Sequence, residues 1–386
     1  MRIYMDHAAT TPLRHEVLEA MLPYLTQVYG NASSFHAEGQ AARHALDGAR
    51  ATVAGLLGCK PGEILFTSGG SEANTTALVG IAWAYRHRGR HLVVSRVEHP
   101  SVLETARFLA QQGFRVTELP VDETGRVAPE ALAQVLDDET LLVSIQMANN
   151  EVGTLQPVAE LARLAHAAGA FFHTDAVQAA GQLPVDVRAL GCDLLTLSAH
   201  KFGGPKGAGV LYVRQGVELA RLIHGGGQER SRRAGTENVA GVVGLARALE
   251  LAVQERAQVA SRLEVLRDRL IAGVLEAVPG ARLTGHPSQR LPGLASFVFE
   301  GGIDGESLLM RLDLEGVAAS SGSACTSGSL EPSPVLLACG LPVELARSGL
   351  RLSLGTATTE AEVARVLEIL PRTVAQLRKV HGASLA

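Results

Sequence analysis

Lysine is scarce in this 386-residue chain, which carries it only at Lys60, Lys201, Lys206 and Lys379. The four cysteines are scattered and form no CxxC pair, so the sequence predicts neither a disulfide framework nor a bound metal. The net charge of -4 gives no electrostatic footprint for direct nucleic-acid binding or for an anionic membrane. No apolar run reaches the ~18 residues that span a bilayer.

The opening residues, MRIYMDHAATTP, lack the basic segment, apolar stretch and cleavage site of a signal peptide. We therefore expect a cytoplasmic protein. A hydrophobic content of 46% over this length is enough for a large core and for two or three domains.

Two of the four lysines lie in one short loop, SAHKFGGPKG. A coding bias towards arginine explains why lysine is rare, but it does not explain this pair. Arginine stays charged in proteins, whereas a lysine amine can lose its proton and react. The loop is therefore a candidate for a reactive amine.

Short apolar runs alternate with helical patterns between residues 60 and 215, which predicts an α/β domain with a mostly parallel sheet. Several runs are continuously apolar, as in a sheet that is covered on both faces. The predicted strands are 64–67, 91–95, 115–119, 141–146, 170–173, 194–197 and 209–213. The predicted helices between them include 72–86, 101–112 and 158–168.

A long helix is predicted over 239–275, and a smaller α/β region follows it. Its predicted elements are a strand at 295–299, a helix at 305–314, a small-residue loop at 320–329, a strand at 351–354 and a helix at 360–378. We expect a large domain of residues 16–250 and a small domain of residues 251–386 together with 1–15. We expect a cleft between the two domains, with the loops of both domains facing it.

Ligands of open α/β sheets bind beyond the carboxyl ends of the strands, so the residues that follow each strand matter most. The strand at 64–67 leads into SGGSEAN, where main-chain N–H groups and Ser71 could hold a phosphate, or simply cap a helix. His99 follows the next strand, and Asn150 follows the strand at 141–146. Either could orient a ligand or stabilise a turn.

Asp175 and Gln178 follow the strand at 170–173, and Ser198, His200 and Lys201 follow the strand at 194–197. Each residue alone has an ordinary explanation, as a helix cap or a solvated loop residue. Together they supply an amine for a Schiff base, a carboxylate for a ring nitrogen and a phosphate cup. These are the requirements of pyridoxal 5'-phosphate, which we predict as the cofactor.

Cys325 lies within the loop SSGSACTSGS, whose ten small residues contribute little to a core. Cys59, Cys192 and Cys339 lie near element boundaries or in a helical pattern, where small buried side chains are expected. A cysteine in a loop that can reach the cofactor cleft is typical of a nucleophile.

The chain resembles the cysteine desulfurases of the nitrogen-fixation and iron–sulfur-assembly type, which have the aspartate-aminotransferase-like fold of pyridoxal-phosphate enzymes. The resemblance extends through nearly the whole chain. It is carried by MDHAATTP, GNASSFH, FTSGGSEAN, VEHPSV, NNEVGTLQP, HTDAVQAAG, SAHKFGGPKGAGVLY, GGGQERSRRAGTEN, SSGSACTSGSLEPS and RLSLG.

The resemblance implies a homodimer and gives a role to each predicted site residue. Lys201 would bind the cofactor covalently, Asp175 would pair with the pyridine nitrogen, and His99 would stack on the ring and relay protons. Gln178 would bond the ring hydroxyl, and Asn150 and Arg351 would bind the substrate carboxylate. The phosphate would be held by Gly70, Ser71, Ser198, His200 and Thr236 of the partner subunit.

The implied reaction converts cysteine to alanine and places the sulfur on Cys325 as a persulfide for an acceptor protein. The resemblance implies an iron–sulfur scaffold or a tRNA-thiolation factor as the acceptor, and the sequence does not decide between them. Three departures from the family pattern stand out: Ser71 in place of Thr, His7 in place of Asn, and Pro334 in place of His.

Three other interpretations remain open from the residues. An aminotransferase or selenocysteine lyase of the same fold would keep the cofactor and change the reaction. A sulfur carrier or scaffold with a decayed site would need no cofactor, and neither would a redox sensor based on Cys325.

Overall fold

The computed structural model describes residues 2–321 and 331–384, with the side chains of 380–384 left out of the description. The predicted sulfur acceptor Cys325 lies outside the described residues. The rest of the predicted site lies within them.

The described chain forms a seven-stranded sheet, a three-stranded sheet and a two-stranded pair. The strands are β1 (Ile3–Tyr4), β2 (Ile64–Thr67), β3 (His91–Ser95), β4 (Arg115–Leu119), β5 (Thr140–Ser144), β6 (Phe171–Asp175), β7 (Leu194–Ser198), β8 (Gly209–Val213), β9 (Ala281–Leu283), β10 (Leu294–Phe299), β11 (Val317–Ala318) and β12 (Leu350–Ser353).

The large sheet has the order β2-β8-β7-β6-β5-β3-β4, and β8 runs antiparallel to both of its neighbours. The other described pairings within it are parallel. Strands β2, β3, β5, β7 and β8 are buried at every position, because helices cover both faces of the sheet. The predicted α/β class with a mostly parallel sheet is confirmed.

The described residues form thirteen α-helical segments, several of them a single turn, and two 3₁₀ helices, Pro61–Glu63 and Ala199–Lys201. They are α1 (His15–Thr26), α2 (Ala37–Leu57), α3 (Gly70–Tyr85), α4 (Pro100–Gln111), α5 (Pro129–Val135), α6 (Val158–Ala167), α7 (Val187–Leu190), α8 (Gln228–Ser231), α9 (Val239–Ala277), α10 (Gly305–Leu314), α11 (Pro334–Ala338), α12 (Val343–Ala346) and α13 (Glu360–Ser384).

Separate hydrophobic cores lie on the two faces of the large sheet and around the small sheet. Helix α9 joins them, since its first half packs on the large sheet and Leu263, Leu270 and Val274 pack on the small one. Ile3 and Met5 belong to the core of the small sheet. The predicted domain boundary after residue 250 falls inside α9, and it stays a prediction.

No helix in the described part of the chain is long and apolar enough to cross a membrane. The described residues also include no group of three or more His, Cys, Asp or Glu side chains that could hold a metal ion.

Candidate active site

A cavity of ≈ 440 Å³ opens at the carboxyl ends of the parallel strands of the large sheet. Its volume lies in the range of small-molecule sites. Ten of the twelve predicted site residues line it: Gly70, Ser71, His99, Asn150, Asp175, Gln178, Ser198, His200, Lys201 and Arg351. The first nine follow or end strands of the large sheet, and Arg351 comes from β12 of the small sheet.

Two predicted residues are not among those that line the cavity. Cys325 lies outside the described residues. Thr236 is exposed, in the segment between α8 and α9. Its predicted role concerns the neighbouring subunit and stays a prediction.

The Lys201 amine points to the N-terminal segment of the chain. Its Nζ donates to the main-chain oxygens of Ala8 at 2.5 Å and Ala9 at 2.8 Å. The Ala8 oxygen also accepts from Gln178 Nε2 at 2.9 Å. Ala8 is held in turn by its own N–H, which donates to Ser353 Oγ at 2.8 Å. The segment 6–9 therefore connects the candidate reactive amine with the small sheet.

The Asp175 carboxylate, 7% exposed, is oriented by two donors. Asn74 Nδ2 donates to Oδ2 at 2.7 Å, and the Val177 N–H donates to Oδ1 at 2.9 Å. Asn74 Nδ2 also lies 2.9 Å from Ser101 Oγ, which contacts His99 Nδ1 at 2.8 Å. A continuous polar network thus links Asp175 to His99 across the cavity wall.

His99 is the N-cap residue of α4, and its Nδ1 accepts the Ser101 N–H at 3.1 Å. That bond places the proton of the neutral ring on Nε2. Burial lowers the pKa of His99, and the positive charge of Lys201 lowers it further, against the opposing effect of Asp175. A neutral imidazole in this position can stack on an aromatic ring and still exchange a proton.

The start of α3 provides a small, polar cradle. The helix follows Gly69, which has no side chain to cap the N–H groups of the first turn, so those donors are suited to an anion. A Cβ on Gly70 would lie 3.1 Å from Val177 Cγ2 and 3.5 Å from Ser198 Cβ, so the cradle has little room for a larger residue. Ser71 keeps a hydroxyl at the wall of the cavity.

His200 lies beside this cradle, and its Nδ1 is 3.1 Å from Thr10 Oγ1. Burial and the charges of Lys201 and Lys206 lower the pKa of His200 to about 4. The imidazole is therefore neutral at physiological pH. It offers an anion a hydrogen bond without a charge.

The Arg351 guanidinium, with its side chain 2% exposed, is fixed on two sides. Its Nη1 donates to the main-chain oxygen of Asn150 at 2.8 Å, and its Nη2 forms an ion pair with Asp6 Oδ1 at 2.9 Å. Arg351 and Asn150, the two predicted ligands of a substrate carboxylate, are therefore in contact with each other.

Both described ends of the segment that contains Cys325 lie at this cavity. Ser320 exchanges two main-chain hydrogen bonds with Arg351, of 2.6 and 3.3 Å. On the other side, Ser333 Oγ donates to Glu151 Oε2 at 2.5 Å, and Pro334 lines the cavity. The described residues on both sides of the segment therefore contact residues that line the same cavity as Lys201.

The structure also shows what the three departures contact. Pro334 begins α11 and lines the cavity, and Ser71 lines the cavity as well. His7 packs on Gly355, so closely that a Cβ added to Gly355 would lie 2.2 Å from the His7 ring. The Nδ1 atom of His7 contacts the main-chain oxygen of Ser353 at 3.0 Å.

Sequence reasoning did not single out Asn74, Ser101 or Asp6. Asn74 lies four residues after Gly70, a spacing that places two helical residues on one face, so helical spacing could have indicated it. Ser101 lies two residues after His99, and only its place in the segment VEHPSV could have indicated it. Asp6 lies 345 residues from its partner Arg351, and no local pattern signals such a pair.

The family model described as aminotransferase class-V matches residues 3–366. A cysteine desulfurase IscS from Methanosarcina thermophila is 52% identical over 378 residues, which are 98% of this chain and 93% of that protein.

Two solved structures are also similar to this chain. A NifS-like protein superposes with a TM-score of 0.92 at 39% identity, over 98% of this chain and 100% of its own. A structure titled SspA in complex with cysteine superposes with a TM-score of 0.81 at 34% identity, over 93% of this chain and 100% of its own. The resemblance and the fold type predicted from the sequence motifs are confirmed, and the chain belongs to the class-V aminotransferase family.

Proposed function

We propose that this chain is a pyridoxal-phosphate-dependent cysteine desulfurase that converts L-cysteine to L-alanine and collects the sulfur on Cys325. One observation carries the proposal: on either side of the segment that contains Cys325, the described residues Ser320 and Ser333 bond to residues of the cavity that Lys201, Asp175 and His99 line. The similarity to a cysteine desulfurase over 98% of the chain supports the same reaction.

The residues at the cavity fit pyridoxal phosphate. Asn74 Oδ1 is a buried acceptor with no hydrogen-bond partner in the described structure, and it lies beside the oriented carboxylate of Asp175. Such a pair suits a protonated ring nitrogen. The cradle at Gly70 and Ser71, with Ser198 and the neutral His200, suits a phosphate, which Thr236 of the partner subunit would also contact. Gln178 would face the ring hydroxyl.

When bound, the cofactor supplies an electron-withdrawing ring that makes the substrate Cα–H acidic and weakens the bond to sulfur. The residues of this chain bind the substrate and transfer its protons. Arg351 and Asn150 bind the carboxylate of cysteine and orient its side chain. Lys201, which attaches the cofactor, and His99 accept the Cα proton and return it.

Sulfur transfer needs a thiolate from this chain. The Cys325 thiolate attacks the substrate sulfur and forms an S–S bond while the C–S bond breaks. The electron pair of the C–S bond remains with the carbon fragment, which takes up a proton and leaves as alanine. Cys325 is left as a persulfide, and no outside oxidant or reductant is consumed.

The other cysteines are poor candidates for this role. Cys192 and Cys339 are buried and Cys59 is half-buried, and burial raises the pKa of each thiol to about 12. Thiols with such pKa values carry almost no thiolate at neutral pH.

The alternatives are not favoured. Transamination gives no role to Cys325, and the cavity positions hold residues competent for catalysis, unlike a decayed site. The acceptor protein, the use of selenocysteine, the homodimer and a cytoplasmic location remain predictions.

The test is incubation of the purified enzyme with sulfur-labelled cysteine, followed by mass spectrometry of its cysteine peptides. We expect label on the Cys325 peptide, and its loss together with alanine formation in Cys325→Ser. Cys59→Ser is the matched control and should retain both. Full alanine production by Cys325→Ser would overturn the proposal.

A further inference from the structure

Glu98 is a buried carboxyl group in the cavity wall to which the mechanism above gives no role. The residue is 2% exposed. The Gln146 N–H donates to both of its oxygens, at 2.9 Å to Oε1 and 3.0 Å to Oε2. Ser95 Oγ donates to Oε1 at 2.6 Å. The charge acting on it comes from Asp175, which has the same sign.

These bonds join the turns that follow β3 and β5. Beside them, the Val97 oxygen accepts from Gln146 Nε2 and from Asn149 Nδ2, the latter at 3.0 Å. One turn ends in His99 and the other carries Asn150. The hydrogen bonds of Glu98 and Val97 therefore hold these two residues at a fixed separation.

The connection continues to Arg351, because the main-chain oxygen of Asn150 accepts a hydrogen bond from Arg351 Nη1 at 2.8 Å. The hydrogen bonds of Glu98 and Val97 thus connect two parts of the site. One part, with His99, faces the cofactor ring, and the other, with Asn150 and Arg351, binds the carboxylate.

We propose that Glu98 is a positioning residue, which fixes the His99 turn on the Asn150 turn and so sets the substrate carboxylate relative to the cofactor ring. The proposal rests on the proposed function, because it assumes that the cavity binds an amino acid on pyridoxal phosphate.

The electrostatics agree with this geometry. Burial and the negative charge of Asp175 raise the pKa of Glu98 to about 8, against the opposing effect of the hydrogen bonds from Ser95 and Gln146. At neutral pH the carboxyl is therefore mostly protonated; its O–H then donates to Ser95 Oγ, and the other oxygen still accepts from the Gln146 N–H. It can join the turns without adding a second negative charge beside Asp175, on β6, or beside the substrate carboxylate. The other titratable or charged groups that line the cavity are Arg96, His99, Glu151, His200, Lys201 and Arg351.

The experiment measures binding of L-alanine to the holoenzyme, through the absorbance change of the bound cofactor. L-alanine has the carboxylate and amine of the substrate but no sulfur. Glu98→Ala loses three hydrogen bonds, and we expect L-alanine to bind about tenfold more weakly, with KM for cysteine raised more than kcat is lowered. Glu98→Gln keeps one acceptor oxygen and should lose less.

The pH profile tests the effect of charge on Glu98 separately from the loss of its hydrogen bonds. Wild-type affinity should fall relative to Glu98→Gln as the pH rises through about 8, because only the wild type gains a negative charge there. Asp193→Asn is the control. Asp193 is also fully buried, but it lies just before β7, at the amino-terminal ends of the parallel strands and therefore away from the cavity.

Asp193→Asn should bind L-alanine with wild-type affinity. The proposal is wrong if Glu98→Ala does the same. If Glu98→Ala does not fold, Glu98→Gln decides: wild-type affinity for L-alanine and a wild-type KM in that variant at pH 7 overturn the proposal. Since L-alanine carries no sulfur, this result is independent of whether Cys325 becomes a persulfide, which tests the proposed function.

Discussion

Asn74 Nδ2 lies 2.7 Å from Asp175 Oδ2, inside the wall that the candidate cofactor would face. The same amide group lies 2.9 Å from Ser101 Oγ, which contacts His99. One side chain therefore orients both the carboxylate predicted to pair with the ring nitrogen and the imidazole predicted to stack on the ring.

Asn74→Ala should weaken binding of pyridoxal phosphate to the apoprotein by about tenfold or more, because a hydrogen bond to a charged group contributes ~1.5–3 kcal/mol. Fluorescence titration of the apoprotein with the cofactor measures this. Thr75→Ala is the matched control on the same helix, since Thr75 contacts Thr105 and not the cavity. Equal affinities for the two variants would refute the role of Asn74.

Asp6→Ala should raise KM for cysteine by about tenfold and change kcat less. The substitution removes the ion pair that fixes Arg351 Nη2, so the guanidinium loses the orientation in which it would receive a carboxylate. Steady-state kinetics of alanine formation measure the effect.

Asp313→Asn is the control for loss of an ion pair, because Arg2 and Asp313 pair with side chains 57% and 60% exposed. Exposed pairs contribute little. An unchanged KM in Asp6→Ala would mean that Arg351 needs no orientation by Asp6.

The strands of the large sheet could be predicted from the sequence to within about two residues, because burial on both faces demands continuous apolar runs. The bounds of β3 and β8 agree with the prediction. Helix α2 was not predicted. It contains three glycines, which disfavour helix, and it is stabilised by burial of residues such as Leu46 and Val53 in the large core.

The candidate site could be predicted where its residues follow strands, since parallel strands end at a common edge. His99, Asp175 and Lys201 are examples. Asp6 and Asn74 could not be predicted from position in this way. Their roles depend on hydrogen bonds to residues 345 and 101 positions away, which only the folded chain brings together.

Acid should destabilise the protein through His173, which is fully buried between Ser144 Oγ and Thr196 Oγ1. Burial lowers the pKa of His173 from 6.5 to about 3. Between these values the unfolded chain holds the extra proton, so the free energy of unfolding falls as the pH falls. At pH 5 the loss is about 2 kcal/mol.

Urea unfolding at several pH values tests this contribution. His173→Gln should be less stable than the wild type at pH 7 but should lose less stability on going to pH 5. His15→Gln, at an exposed position on α1, should keep the wild-type slope. A wild-type slope in His173→Gln would show that other groups cause the acid sensitivity.

A glycine substitution in α8 should relieve backbone strain. Glu229, Arg230 and Ser231 have φ values of 46°, 57° and 64°, in the left-handed region that costs a residue with a Cβ roughly 1 kcal/mol. Glu229 is held there by a buried ion pair with Arg50, at 2.6 Å, and by the Phe66 N–H at 3.1 Å. Ser231 is exposed and carries the same backbone strain.

Ser231→Gly should therefore raise the free energy of unfolding by about 1 kcal/mol, because glycine adopts this conformation without the Cβ clash. Ser231→Ala keeps the Cβ and should give no gain, which separates backbone strain from loss of the hydroxyl. Urea unfolding of both variants beside the wild type measures the difference. If alanine stabilises the protein as much as glycine does, the strain at this position is not relieved by removing the Cβ, and the explanation fails.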